Sequence, residues 1–188
     1  MPSRMMLRAL LAGAVVSAAA PALADDALKA AIADPARKAS DVARDGARHP
    51  YETLTFWGLK PGQTVVELQP GGGYWLEILA PYAKATKGSY VATVPDLKDP
   101  KLPEQARAGR AAFEAKYPDA VRYGTIRYAN WGPNSGPLGP PGSADMVITA
   151  RNIHNWMWTP GQLDKVMADS FAVLKSGGVL AVEEHRAD

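Results

Sequence analysis

The stretch VVELQPGGGYWLEIL, residues 65–79, runs from an apolar, strand-like segment through an acid and three consecutive glycines into an apolar, helix-like segment. Glycine lacks a Cβ, so the main chain at Gly71, Gly72 and Gly73 can take positive φ and let a flat ligand approach closely. The helix that follows offers free N–H groups at its start. In an open parallel sheet, ligands bind beyond the carboxyl ends of the strands where the strand order reverses, and the first strand-to-helix turn falls there. The turn therefore reads as the floor of a site for a small polar cofactor.

Spacing narrows the cofactor. A phosphate-binding loop needs Gly-Lys-Ser or Gly-Lys-Thr, and here the glycines run into Tyr74 and Trp75. A dinucleotide fingerprint would use Gly71 and Gly73 and then ask for a small residue where Leu76 stands, which weakens a nicotinamide-dependent oxidoreductase as a reading.

Outward from the turn, strand-like and helix-like segments alternate. Strands are expected at 64–68, 90–94, 121–128, 145–150 and 179–183. Helices are expected at 75–80, at 102–116 with Leu102, Ala106, Gly109 and Phe113 on one face, and at 160–174. Thr159 is the expected cap of that last helix, with Pro160 in its first turn and Gly177 and Gly178 at its end. The strands are short Val/Ile/Leu runs without polar alternation, which argues for a parallel sheet covered on both faces. The expected class is α/β, a doubly wound, mainly parallel sheet of about five strands. The Gly- and Pro-rich segment 129–143 fits neither element and reads as a loop that lines a site or is disordered.

The chain has 188 residues, 47% of them hydrophobic, enough for one domain with a real core. Arg4 and Arg8 precede an apolar run at 9–20, and Ala22-Leu23-Ala24 supplies the small residues that a signal peptidase reads. Residues 1–24 are thus an expected signal peptide, cleaved after Ala24, and the product is expected in the periplasm or outside the cell. The run is shorter than the roughly 20 apolar residues needed to cross a bilayer, so no membrane span is expected after signal removal. Cysteine is absent, which fits an oxidising compartment without a disulfide framework. The formal charge of +2 falls to zero once Arg4 and Arg8 leave, which argues against nucleic acid as a partner. Residues 25–58 read as a helical lead-in broken at Pro35, and 59–188 as the core.

On Glu67, Gly71 and Gly73 the sequence resembles the class I S-adenosylmethionine-dependent methyltransferases, a Rossmann-like family whose first motif is an acid ending the first strand before a glycine-rich turn. The resemblance extends to ADMVITARNIHNW (144–156) and LKSGGVLAVEEHR (174–186), and more narrowly to an exported family of predicted methyltransferases. It implies S-adenosylmethionine as cofactor, a small-molecule substrate, and cofactor contacts from Glu67, Gly71, Gly72, Gly73, Asp96 and Asn152. The sequence departs from the pattern in three places. Gln69 stands where the family has its first glycine. Val94 stands where an acid should hold the ribose hydroxyls, a role that Asp96 would then fill from the loop. The family's seven strands exceed the five expected here, which reads as a C-terminally truncated product whose exposed fifth strand invites self-association.

Individual residues carry alternatives. Glu67 either accepts from the cofactor or braces the turn. Tyr74 and Trp75 present an aromatic face to a sulfonium or pack in the core. His154, at the rim after the fourth strand, is the expected catalytic base, and the alternative is that it joins Asn152 and Asn155 in satisfying loop backbone groups. His185 and Arg186 face the same rim or belong to a loose tail. His49 reads as a surface or capping residue. Three histidines so widely spread give no metal-ligand spacing, and no metal is expected. Against the enzyme stands a second reading, an exported non-catalytic binding module on a degenerate methyltransferase fold, favoured by Gln69 and Val94.

Overall fold

The computed structural model describes residues 20–186, so the expected signal segment lies largely outside them. The chain opens with four helical segments, α1 (Ala20–Ile32), α2 (Ala39–Val42), α3 (Asp45–Arg48) and α4 (Pro50–Phe56). It then alternates through β1 (Thr64–Leu68), α5 (Leu76–Ala85), β2 (Ser89–Pro95), α6 (Glu104–Ala115), α7 (Ala120–Tyr123), β3 (Ile126–Trp131), β4 (Ala144–Ala150), α8 (Ile153–Trp156), α9 (Gln162–Val173) and β5 (Leu174–Glu183). The expected cleavage point after Ala24 falls inside α1, and no helix among the described residues is long and apolar enough to cross a membrane.

The five strands form one sheet in the order β3-β2-β1-β4-β5, with every pairing parallel. Side chains on a strand alternate between faces, and both faces of this sheet are covered. Val65, Tyr90, Ala92, Met146 and Ile148 pack with α1 and α5, while Val66, Leu68, Val91 and Val147 pack with α8 and α9. Two-sided burial is why these strands read as unbroken apolar runs. Each fully buried aliphatic side chain contributes roughly 1.5–3 kcal/mol. The chain reverses its direction of travel across the sheet between β1 and β4, which puts the switch point at their carboxyl ends. The fold class is as expected.

Four boundaries are corrected. The third strand begins at Ile126, not 121. Asp119 caps a helical turn instead, its carboxylate accepting from the Val121 and Arg122 N–H groups, and Gly124 at φ 68° ends it. The same strand runs on through Asn130 and Trp131, so the Gly/Pro segment starts as strand and becomes a loop only at Gly132. The last helix is not capped by Thr159, because Gly161, left-handed at φ 74°, precedes its first residue. Gly177 and Gly178 do not end that helix, since β5 has already begun at Leu174 opposite Ala144. A register irregularity lies between Ala144 and Met146, and a Cβ on Gly178 would sit 3.0 Å from the Lys175 carbonyl.

Buried charges tie the lead-in to the core. Arg122 pairs with Asp34 at 2.8 Å and with Glu77 at 2.9 Å, the second contact being misaligned for a hydrogen bond. Arg37, its side chain fully buried, forks onto both oxygens of Asp45. Removing one partner of a buried pair strands the other charge. Arg122→Met is therefore expected to lower stability by about 3 kcal/mol in urea unfolding. A loss under about 1 kcal/mol would show that Glu77 does not depend on this guanidinium.

Candidate functional site

The turn after β1 leaves the sheet through Gln69, whose φ of 46° is left-handed, a conformation that L-residues other than Gly adopt at a cost. Gln69 is held there from three sides. Its N–H donates to Thr93 Oγ1 at 2.8 Å, its side-chain Oε1 accepts from the Trp156 indole at 2.6 Å, and its carbonyl accepts from Asn152 Nδ2 at 3.3 Å. The residue that departs from the glycine pattern thus takes the backbone shape a glycine would.

The three glycines differ. A Cβ on Gly72 would meet nothing within 4 Å, and on Gly71 only the Gln69 carbonyl at 3.9 Å. On Gly73 it would lie 1.9 Å from the Tyr117 hydroxyl. Gly73 is therefore bare so that Tyr117 can pack, and unlike Gly71 and Gly72 it lines neither of the cavities beside the turn. Lys116 Nζ and the Tyr117 hydroxyl both donate to the Gly72 carbonyl, at 2.7 and 3.3 Å.

Two cavities flank the turn, sharing Gln69, Pro70, Gly71 and Asn152 as a common wall. The larger, about 630 Å³, lies over the ends of β2 and β3 and is lined by Val94, Asp96, Leu102, Phe113 and Trp131 among others. The smaller, about 320 Å³, lies over β1 and β4 and is lined by Arg44, Arg48, Glu67, Arg151, His154 and His185.

The expected residues fall into these two spaces. Strand β2 runs through Pro95, so Asp96 follows the strand directly and stands at its carboxyl end in the larger cavity. It stands two residues past Val94, where the resemblance asks for the acid. Asp96 is buried at 9% exposure, with Oδ1 accepting from the Lys98 N–H. Glu67 lines the smaller cavity but does not brace the turn, because it accepts from the Tyr90 hydroxyl instead. Burial pushes its carboxyl up to about 7, opposed by that hydrogen bond and by the Arg48 charge. Asn152 does satisfy backbone, donating to the Leu68 carbonyl at 3.2 Å as well as to that of Gln69. Trp75 packs on Trp57 in the core, and Tyr74 is ringed by Arg37, Arg44 and Arg48 with its hydroxyl donating to Asp45. His49 sits exposed and left-handed between α3 and α4.

His154 Nδ1 lies 2.8 Å from Glu184 Oε1. The carboxylate fixes the tautomer: Nδ1 carries the proton and Nε2 keeps a lone pair, the arrangement of an oriented general base. Burial raises the Glu184 carboxyl, but hydrogen bonds from the His185 N–H and from His154 outweigh it and hold it below the usual range. The wide spread of histidines is misleading, since His154 and His185 end with ring centres 5.1 Å apart. With Glu184 they present ligand atoms all within 4.8 Å of one another. Arg151 Nε donates to His185 Nε2 at 3.2 Å, so a cation held there would face a fixed positive charge.

Sequence reasoning missed Arg44, Arg48, Arg151 and Glu184. The first two stand four apart, one helical turn, and that spacing was the available signal. Nothing local marks Arg151, whose φ of 61° follows from the β4 exit.

No protein-family model and no curated protein sequence matches the chain. Among solved structures it is similar to a SAM-dependent methyltransferase from Aquifex aeolicus, with TM-score 0.55 and 21% identity over 87% of this chain and 76% of that one. It is also similar to the CurJ carbon methyltransferase, with TM-score 0.50 and 17% identity over 77% of this chain and 35% of that one. The fold is that of the S-adenosylmethionine-dependent methyltransferases. This chain spans about three quarters of the first and about a third of the second.

The raised Glu67 carboxyl has a sign that can be tested. Between the ordinary 4.5 and about 7 the folded state holds a proton that the unfolded chain has released. Stability therefore falls as pH rises through that window, by about 3 kcal/mol from this group. Glu67→Gln is expected to lack this component and to be the more stable protein at pH 8 by urea unfolding. Parallel pH profiles for the two proteins would show that Glu67 is not the group responsible.

Proposed function

We propose that the chain is a methyltransferase that binds S-adenosylmethionine in the larger cavity and methylates a small acceptor in the smaller one. One observation carries this reading: a glycine turn at the switch point, open at Gly71 and Gly72, stands between an apolar cavity with an acid at the end of β2 and a polar cavity holding an oriented histidine. When bound, S-adenosylmethionine supplies an electrophilic methyl group.

The residues divide the remaining work. Val94, Leu102, Phe113 and Trp131 offer apolar faces for the adenine, and the Asp96 carboxylate accepts from the ribose hydroxyls. Gly71 and Gly72 let the cofactor lie against bare main chain, and Asn152 keeps the turn in place. Glu67, which lines the smaller cavity on the far side of the shared wall, would accept from the cofactor's amino group where that end reaches past Gly71. His154 Nε2 takes the proton of the acceptor, while Glu184 stabilises the imidazolium that results. Methyl transfer depends above all on alignment, so His154 matters most for acceptors that must lose a proton.

Calorimetric titration of the full chain with S-adenosylmethionine and S-adenosylhomocysteine is expected to give saturable binding, weakened about tenfold by Asp96→Asn. Absence of binding to both compounds sinks the assignment. Export belongs to the same proposal, supported by the 1–24 segment. Mass spectrometry of the periplasmic fraction should find a chain beginning at Asp25, and an intact Met1 in the cytoplasm would count against it.

A further inference from the structure

The smaller cavity gathers more positive charge than a neutral acceptor needs. Arg44 and Arg48 reach it from the lead-in, Arg151 from the β4 exit, and His154 and His185 complete its rim. Arg44 is paired with Asp41. Among the described residues neither Arg48 nor Arg151 forms an ion pair: Arg48 lies over the Tyr74 ring at 4.4 Å, and Arg151 donates to His185 Nε2. Among the described residues, the one carboxylate lining this cavity is Glu67, buried and engaged by Tyr90. Its raised carboxyl is at most partly ionised near neutral pH. Arg151 is held in a left-handed backbone conformation with its N–H bonded to the Glu183 carbonyl at 2.8 Å, so its position is imposed by the fold. An adjoining hollow, lined by Arg44, Arg48, Arg151 and Arg186 against Glu183 and Glu184, is also positive in charge.

Guanidinium groups without a carboxylate in ion-pair contact, beside a cavity of about 320 Å³, suit the planar, two-oxygen recognition of a carboxylate or phosphate. We infer that Arg48 and Arg151 form an anion site in the smaller cavity, and that the molecule it receives is an acidic small acceptor bearing a carboxylate or phosphate. The acceptor half of this inference rests on the methyl-transfer reading above, whereas the anion site stands on the arginines alone. A carboxylate could also come from the amino-acid end of the cofactor, so the test separates the two sources.

Phenyl phosphate and phenol, alike in ring and different in charge, are titrated calorimetrically into the full chain, first alone and then saturated with S-adenosylhomocysteine. Phenyl phosphate is expected to bind at least tenfold more tightly than phenol in both conditions. Arg48→Gln and Arg151→Gln should each weaken it about tenfold, with phenol changed less than twofold. Melting temperatures check that both variants fold, and Arg151, exposed at the rim, is the safer substitution. Equal affinities for the two probes, or variants that bind phenyl phosphate as the parent does, overturn the site. Loss of phenyl phosphate binding on saturation with S-adenosylhomocysteine, with both variants weakening the latter but not 5′-methylthioadenosine, overturns the acceptor, because the anion is then the cofactor's own carboxylate. If S-adenosylhomocysteine fails to bind while phenyl phosphate retains its arginine dependence, the anion site stands and the cofactor reading falls alone.

Discussion

The turn after β1 is the constraint on which the site depends, because it must hold a left-handed non-glycine residue and bare main chain in one shape without regular hydrogen bonds of its own. Its anchors come from across the fold: Thr93 on β2, Asn152 at the exit of β4, Trp156 on α8, and Lys116 with Tyr117 after α6. A left-handed non-glycine residue costs of order 1 kcal/mol, and a net hydrogen bond returns about as much. Several anchors together fix the turn where one would only offset its strain. The floor between the two cavities is therefore formed only when β1, β2 and β4 are already side by side.

The lead-in is bound into the same argument by charge. Arg37 is a buried ion, Arg122 is partly buried against the buried Glu77, and a buried ion persists only with its partners in place. Arg122 joins Asp34 of the lead-in to Glu77 on α5, and Arg37 holds Asp45, which accepts from the Tyr74 hydroxyl of the core. A consequence at the site is that Arg44 and Arg48, one helical turn apart, are delivered to the rim of the smaller cavity. What reads in sequence as a helical preface supplies two of its cations.

Most of the sheet was legible because period-free apolar runs between turn signals have few other readings. β1 was read with its observed bounds, and β2 and β4 to within a residue or two at each end. The errors sit where a local signal met a tertiary one. Val121 to Tyr123 are good strand residues, yet Asp119 capping and Gly124 turned them into helix. Gly177 and Gly178 look like a helix stop, yet pairing of Leu174 with Ala144 had already begun the strand. Thr159 is a good cap, yet a glycine two residues later was better suited to the backbone entering α9. At the site, Glu67, Gly71, Asp96, Asn152 and His154 line one or other cavity as their positions at strand ends implied, but Gly73 serves Tyr117, and no sequence pattern reveals which side chain fills the space beside a glycine.

The sequence by itself determined the α/β class, the parallel sheet and the place of the glycine turn, since these follow from hydrophobic period and glycine's missing Cβ, both local properties. It also placed His154 after a strand end. Only the tertiary structure decided that Gln69 takes the shape of a glycine, that Asp96 stands at a strand end, and that His154, Glu184 and His185 meet. Those outcomes depend on contacts between residues dozens of positions apart, whose geometry is set by strand order and register. The cluster of arginines is of the same kind, because like charges share a cavity only when the buried ion pairs and sheet of the fold hold them there.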